Sequence, residues 1–197
     1  MKFFARFVSL LFNPIVFFLI MPFLVVYRQT QSSTYALKWQ IFSSIFLFLG
    51  LVLFVVGRIK GAFSDEDVSK REERYKFYIL LYILGFAYFL IAILLKGAFF
   101  PLSIITFGII LGILVFNFVN RFIKASIHVA VSVAFVITIG FLYGWIYLFL
   151  ILWIVPLTFW ARIVSKRHTA KEAIIGAILE VIITLTTALI GKLFYNY

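Results

Sequence analysis

The sequence predicts an all-α protein that crosses a membrane several times as a helical bundle. Of its 197 residues, 65% are hydrophobic and only 13% are charged, and the mean hydropathy is +1.16. A soluble domain of this length has no interior large enough to hide so much apolar surface. Strand barrels need short alternating segments, which this chain lacks, so helices are the predicted spanning elements.

Long uncharged runs predict about seven spans. Each run reaches the roughly 18 to 20 residues that a helix needs to cross the hydrocarbon core of a bilayer. The longest run exceeds one span, and we expect a helical hairpin between Gly140 and Gly144, because glycine tolerates turn geometry. We expect residues 1–197 to form one membrane domain with no soluble domain appended. The runs are 7–27, 39–57, 77–95, 97–120, 125–161 and 173–191, the last interrupted only by Glu180.

The first run follows Lys2 and Arg6 and superficially resembles a signal peptide. It is longer than the apolar region of such a peptide, and no small-x-small cleavage site follows it. We therefore expect it to form the first span.

The rare residue types exclude several kinds of chemistry. The chain has no cysteine, which excludes disulfides, thiolate metal sites and thiol nucleophiles. It has only two histidines and seven acidic residues, so we expect neither a metal site built from protein ligands alone nor a cofactor.

The net charge of +11 is concentrated on one side of the predicted bundle. Seven spans place 14 of the 18 basic residues on one face, and the positive-inside rule makes that face cytoplasmic. This location gives no reason to expect a nucleic-acid partner. The small, all-membrane design favours a prokaryotic plasma membrane. The four basic residues on the other face are Arg28, Lys38, Lys96 and Lys192.

The first of three polar loops on the basic face is 57–76. It holds five of the seven acidic residues and six of the 18 basic ones. Such a charge run is usually a solvated surface, here with Ser64 as the N-cap of a short helix. Alternatively, Arg71, Arg74 and Lys76 lie close enough in the chain to grip phosphate oxygens together.

The other two loops, 121–132 and 161–176, each hold one of the two histidines. His168 and Glu172 are four residues apart, so on a helix they face the same way and the carboxylate can orient the imidazole. His128 lies 40 residues before His168 with one hairpin between, which brings both to the same membrane face. The basic residues of these loops are Arg121, Lys124, Arg162, Lys166, Arg167 and Lys171.

Two imidazoles among fixed cations are what phosphoryl transfer without a metal requires. One imidazole attacks phosphorus, the other protonates the leaving oxygen, and the cations stabilise the phosphoryl oxygens. A single histidine beside basic residues would instead suit a structural position at the membrane interface.

The histidine motifs resemble those of the type-2 phosphatidic acid phosphatase/haloperoxidase superfamily. The third motif of that family is S-R-x5-H-x3-D, and Arg162, His168 and Glu172 form A-R-x5-H-x3-E. The second motif is P-S-G-H, and Ser126 and His128 match it within A-S-I-H.

The overall motif pattern more closely resembles a divergent prokaryotic branch of the superfamily. The family's first motif, K-x6-R-P, is absent, and Lys124 and Arg121 are the nearest basic residues. The branch has an S-D-x-D/H-x-x-x-R-x-E-R-like loop two spans before a K-x-S-x-H motif, and the resemblance covers residues 57–191. The residues that match the loop are Ser64, Asp65, Asp67, Arg71, Glu73 and Arg74.

The resemblance implies an active-site core like the helical bundle of that superfamily and the activity of a metal-independent lipid phosphatase. His168 would attack a phosphomonoester or diphosphate of a phosphatidic-acid-like or isoprenoid lipid, and Glu172 would orient it. His128 would serve as general acid and then as general base, with the lipid phosphate and the bilayer as partners. The implied phosphate-binding residues are Arg162, Lys124, Ser126, Arg121, Arg71 and Arg74.

Two alternatives stay open at this point. Ile127 replaces the glycine that lets the family's backbone approach phosphate, which favours a catalytically degraded scaffold or lipid-binding protein of the same fold. An intramembrane prenyl- or phosphatidyl-transferase needs aspartate-rich magnesium motifs on facing helices, and only Asp65 and Asp67 are present.

Glu180, in mid-membrane, is either structural or functional. The sequence predicts no oligomeric state.

Overall fold

The computed structural model describes residues 1–68, 70–95 and 100–195, in which every regular element is an α-helix. This confirms the all-α prediction. Lys96, one of the four basic residues predicted on the far face, lies outside the described residues. The helices are α1 (Lys2–Leu11), α2 (Pro14–Thr30), α3 (Ser33–Ile59), α4 (Arg71–Leu94), α5 (Phe100–Val119), α6 (Ile127–Tyr143), α7 (Trp145–Ile151), α8 (Ile154–Val164) and α9 (Ala170–Tyr195).

Six helical segments in these ranges are long and apolar enough to cross a membrane, as expected of an integral membrane protein. The structure gives six rather than about seven because α6 has only 17 residues. At 1.5 Å per residue it is about 26 Å long, short of a hydrocarbon core about 30 Å thick. The six segments are Phe3–Thr30, Ser33–Ile59, Arg71–Leu94, Leu102–Val119, Trp145–Val164 and Ala170–Leu193.

The first span is made of two helices joined at Asn13. The Asn13 side chain accepts a hydrogen bond from the Ile15 amide at 3.0 Å, and Pro14 occupies the first turn of α2. Proline is tolerated there because the first turn of a helix leaves its amides without intrahelical partners. The span therefore begins with α1, which packs against α8.

The hairpin expected in the longest apolar run turns at Gly144. This residue has a φ of 105°, in the region that glycine adopts without strain, and separates α6 from α7. The second arm is itself divided between α7 and α8, and Pro156 lies in the first turn of α8.

Helix α6 lies at the centre of the bundle. It packs against α2, α7, α8 and α9, while α4 packs against α5 and α2 against α3. Where α9 passes the start of α6, a Cβ added at Gly176 would lie 2.6 Å from the carbonyl oxygen of Ser126. Small residues permit such close backbone approaches between membrane helices. Gly176 thus fixes the spacing between the two histidine-bearing segments.

At the end of the bundle away from the polar loops, α2 is fastened to the C-terminal end of α6. Arg28 donates from Nε to the Leu142 carbonyl at 2.7 Å, and the Tyr143 hydroxyl donates to the Leu24 carbonyl at 2.8 Å. The Arg28 guanidinium also lies 5.8 Å from the centre of the Tyr143 ring.

Candidate functional site

The three polar loops meet at one end of the bundle, here called the polar end, as the sequence predicted. Asp67 of the first loop forms an ion pair with Arg162 at 3.1 Å. The Arg74 guanidinium donates to the Ala125 carbonyl at 3.1 Å, and the Ser126 amide donates to the Glu172 carbonyl at 3.1 Å. Residues far apart in the chain therefore share one site.

Glu172 orients His168 and also caps α9. Its Oε2 lies 3.2 Å from Nδ1 of His168 and accepts from the Thr169 amide at 2.9 Å. The Glu172 amide in turn donates to the Thr169 hydroxyl at 3.3 Å, which completes a capping box. Our sequence interpretation paired His168 with Glu172 but missed the cap, although T-A-K-E at 169–172 has the signature of one.

His168 is a neutral imidazole. Its side chain is only 2% exposed, and burial lowers the pKa of His168 to about 3, with the positive charges of Arg162 and Arg74 acting in the same direction. A neutral imidazole has one N–H, and the carboxylate beside Nδ1 can only accept a hydrogen bond, so Nδ1 carries the proton. The lone pair therefore lies on Nε2.

His128 occupies the same electrostatic environment as His168. It is the second residue of α6 and is partly buried. The charges of Arg162 and Arg74 act on both rings, and His128 itself acts on His168. Among the described residues, the His128 ring makes no hydrogen bond. The two rings thus share one electrostatic environment, and their convergence on a single phosphate stays a prediction.

Arg162 is buried and already has two partners. It donates from Nη1 to the Ser9 hydroxyl at 2.8 Å and from Nη2 to Asp67 at 3.1 Å. The second oxygen of Asp67 pairs with Nε of Arg167 at 3.0 Å. Nε of Arg162 is buried and has no partner among the described residues. Neither the Ser9 contact nor the Asp67 pairing was predicted from sequence, and Ser9, in an apolar helix, gives no signal of its role.

Arg74 and Lys124 complete the positive charge around the imidazoles. Arg74 is buried and donates from Nε to the Val68 carbonyl at 3.0 Å, in addition to its bond to Ala125. Lys124 donates to the Arg167 carbonyl at 3.4 Å. Burial lowers the pKa of Lys124, and the nearby charge of Arg74 lowers it further.

Ser126 is fully buried at the N-terminal end of α6. Its hydroxyl has no hydrogen-bond partner in the described part of the chain. A buried polar group without a partner destabilises a fold by about 1–3 kcal/mol, so one further hydrogen bond to this hydroxyl would stabilise the protein. Seven of the nine predicted site residues thus form one group, here called the imidazole cluster: His128, His168, Glu172, Arg74, Lys124, Ser126 and Arg162.

Arg71 and Arg121, the other two predicted phosphate-binding residues, line a different feature. This is an open cleft between the start of α4 and the end of α5, here called the α4–α5 cleft. In the described part of the chain, neither side chain makes a hydrogen bond or ion pair with a residue of the imidazole cluster. The residues that line the cleft are Arg71, Glu72, Tyr75, Asn117, Asn120 and Arg121.

Ser64 does not cap a short helix as the sequence suggested. Its amide and its hydroxyl both donate to Oε2 of Glu73, at 2.7 and 3.0 Å. The next helix, α4, begins only at Arg71. Ser64 therefore holds the first polar loop against the start of α4.

Comparison of the chain with protein-family models, with curated proteins and with solved structures gave no match. The resemblance to the phosphatidic acid phosphatase/haloperoxidase superfamily therefore stays a prediction. It rests on motif residues such as Arg162, His168 and Glu172, which the fold brings together at the polar end.

Proposed function

We propose that this protein hydrolyses a phosphomonoester or diphosphate of a membrane lipid through a phosphohistidine. One observation carries the proposal: a neutral His168 is oriented by Glu172 within the same group of cations as His128. An imidazole with its proton on Nδ1 has a free electron pair on Nε2 with which to attack phosphorus.

In the first step a bond forms between Nε2 of His168 and phosphorus, and the bond from phosphorus to the lipid oxygen breaks. His128 gives its proton to that oxygen. The negative charge of a bound phosphate offsets Arg162 and Arg74, so His128 takes up this proton when the substrate binds. In the second step His128 removes a proton from water, the water oxygen attacks phosphorus, and the bond to His168 breaks.

Two buried groups of the cluster are suited to hold the phosphoryl oxygens. Nε of Arg162 and the hydroxyl of Ser126 both lack partners among the described residues. Each is a hydrogen-bond donor, and Lys124 adds a positive charge beside them. Donors fixed before the substrate arrives stabilise the charge that develops in the transition state.

The proposed substrate enters from the bilayer. Its apolar tails lie among the helices and its head group meets the polar end, which the positive-inside rule places in the cytoplasm. A phosphatidic-acid-like lipid and an isoprenoid phosphate both have this form. We propose a prokaryotic plasma membrane as the location.

A second candidate is a membrane scaffold or lipid-binding protein without catalysis. The observation that favours it is the pairing of Asp67 with both Arg162 and Arg167, because this carboxylate takes up positive charge that a phosphate would need. Under this alternative the polar contacts serve to join α1, α4, α8 and α9.

Phosphate release by the purified protein in EDTA distinguishes these functions. We expect release from phosphatidic acid or an isoprenoid diphosphate, with the activity lowered about 10²–10⁴-fold in His128→Gln and abolished in His168→Gln. The exposed Lys171, next to Glu172, provides the control Lys171→Gln, which we expect to keep its activity. The wild type should carry an acid-labile phosphoryl label that His168→Gln lacks.

Two outcomes would contradict the proposal. Activity that EDTA abolishes would favour a metal-dependent transferase. No turnover of any lipid phosphate by folded wild-type protein would favour the scaffold. A thermal unfolding curve of each variant shows whether a loss of activity is only a loss of fold.

A further inference from the structure

The α4–α5 cleft lies where a lipid head group would be found. It is formed by the first turns of α4 and by the last turn of α5 with the two residues that follow it, and both helices contain candidate membrane spans. It therefore opens at the level where apolar helix gives way to the polar loops. Every residue that lines it has a polar or charged side chain.

Two reciprocal hydrogen bonds hold the walls of the cleft together. Nε of Arg71 donates to the Asn120 carbonyl, and Nδ2 of Asn120 donates to the Arg71 carbonyl at 3.3 Å. Asn120 is only 6% exposed, and its Oδ1 has no partner in the described part of the chain. The wall of the cleft thus contains a buried hydrogen-bond acceptor without a partner among the described residues.

The charges of the cleft suit one phosphodiester. Arg71 and Arg121 contribute two positive charges and Glu72 one negative charge, which leaves the cleft at +1. The side chain of Arg121 is exposed and makes no hydrogen bond or ion pair with any described residue. A guanidinium fork matches two phosphate oxygens, and a phosphodiester has a charge of −1.

The surroundings favour a lipid over a soluble phosphodiester. Phe118 and Phe122 flank Arg121 along the chain, are 59% and 72% exposed, and have their ring centres 5.5 Å apart. Tyr75, on the opposite wall, is 53% exposed. Aromatic side chains at this level of a membrane protein contact the region between head groups and acyl chains.

We propose that the α4–α5 cleft binds the phosphodiester head group of an anionic glycerophospholipid that has a hydroxyl on its head group. Arg71 and Arg121 bind the phosphate oxygens. The head-group hydroxyl donates to the exposed carboxylate of Glu72. This lipid is not the substrate, because the cleft contains neither imidazole, and the site does not depend on the proposed phosphatase activity.

Lipid binding to the purified full-length protein in detergent tests this site, with native mass spectrometry as the readout. Phosphatidylglycerol has the phosphodiester and the hydroxyls, whereas phosphatidylcholine has the phosphodiester but no hydrogen-bond donor. We expect the protein to bind phosphatidylglycerol more tightly. Arg121→Gln should weaken that binding roughly tenfold, as expected from the loss of one charge-assisted contact of about 1.4 kcal/mol.

The control is Lys60→Gln, which removes the same charge from another exposed residue of the polar end. We expect its affinity for phosphatidylglycerol to change less than twofold. His168→Gln should bind the lipid as the wild type does, so a failure of the phosphatase proposal leaves this test intact. Arg121→Lys should keep part of the affinity, because it keeps the charge but loses the fork.

Three results would overturn the proposal. The first is equal binding of phosphatidylglycerol by the wild type and Arg121→Gln. The second is equal affinity of the wild type for phosphatidylcholine and phosphatidylglycerol. The third is a deacylated head group, glycerophosphoglycerol, that binds as tightly as the lipid, since the ligand would then be a soluble phosphodiester.

Discussion

Replacing Gly176 by alanine tests whether the close approach of α9 to the start of α6 holds the site together. The added Cβ would lie 2.6 Å from the carbonyl oxygen of Ser126 and 3.1 Å from its amide nitrogen. An ordinary contact is at least 3.4 Å, so the backbone of Ser126 has to move by about 0.8 Å. Both contacted atoms are backbone atoms, which cannot rotate away as the end of a side chain can.

The expected loss of stability in Gly176→Ala can be measured against a second glycine-to-alanine change that has no clash. Overpacking of this kind destabilises a protein by about 1–3 kcal/mol. Alanine also favours a helix over glycine by up to about 1 kcal/mol, which offsets part of that cost. Gly112 lies within α5, and a Cβ added there would meet no neighbouring atom within 4 Å. Gly112→Ala therefore gains the higher helix propensity of alanine without a steric clash. We therefore expect Gly176→Ala to be less stable than Gly112→Ala by about 1–3 kcal/mol.

Unfolding of both variants in mixed detergent micelles measures this difference. Hydrogen exchange at the Ser126 amide gives a second readout, because the displaced backbone carries the 3.1 Å bond from that amide to the Glu172 carbonyl. Exchange there should be faster in Gly176→Ala than in Gly112→Ala. Equal stability of the two variants, with unchanged exchange at Ser126, would refute the packing that we describe.

Two further predictions concern charge at the polar end. Asp67→Asn leaves the buried guanidinium of Arg162 without its ion-pair partner and should lower the free energy of unfolding by about 3 kcal/mol, whereas Glu66→Gln, at an exposed pair with Arg58, should change it by less than about 1 kcal/mol. Similar effects of the two variants would contradict the buried pair. The second prediction is a loss of stability as the pH falls from 7 to 5, because the unfolded chain protonates His168 near pH 6.5 whereas burial holds the pKa of His168 at about 3 in the folded chain. The contribution is about 2 kcal/mol over this range, and His168→Gln should lack it; an equal slope in both proteins would contradict a buried neutral imidazole.

The sequence predicts the helices well because long apolar runs have few other structures open to them. The number of spans is harder to predict. The run 125–161 shows that the chain turns near its glycines, but not whether both arms of the hairpin are long enough to cross the membrane. Gly144 leaves only 17 residues to α6, and the longer second arm is continued to Val164 by residues beyond the run. Hydropathy gives the total apolar length but not how many residues each arm of the hairpin receives.

Only part of the site follows from sequence. The spacing of His168 and Glu172 is local, so helical periodicity predicts their contact. The pairing of Asp67 with Arg162 joins residues 95 positions apart and depends on how the first polar loop meets the end of α8. Arg71 and Arg74 are one turn apart on α4, yet Arg74 enters the imidazole cluster while Arg71 lines the α4–α5 cleft. A charge run in a sequence does not show which of its members point inward.

The hydrogen bond from Arg162 to Ser9 has a consequence for how the chain folds during its synthesis on the ribosome. The two residues are 153 positions apart, and at 5–20 residues per second the ribosome needs roughly 8–30 s to synthesise the intervening chain. During that interval α1 is already made, but the guanidinium that its serine will bind does not yet exist. The polar contact between α1 and α8 therefore forms only after Arg162 has been synthesised, whatever the order in which the intervening helices pack.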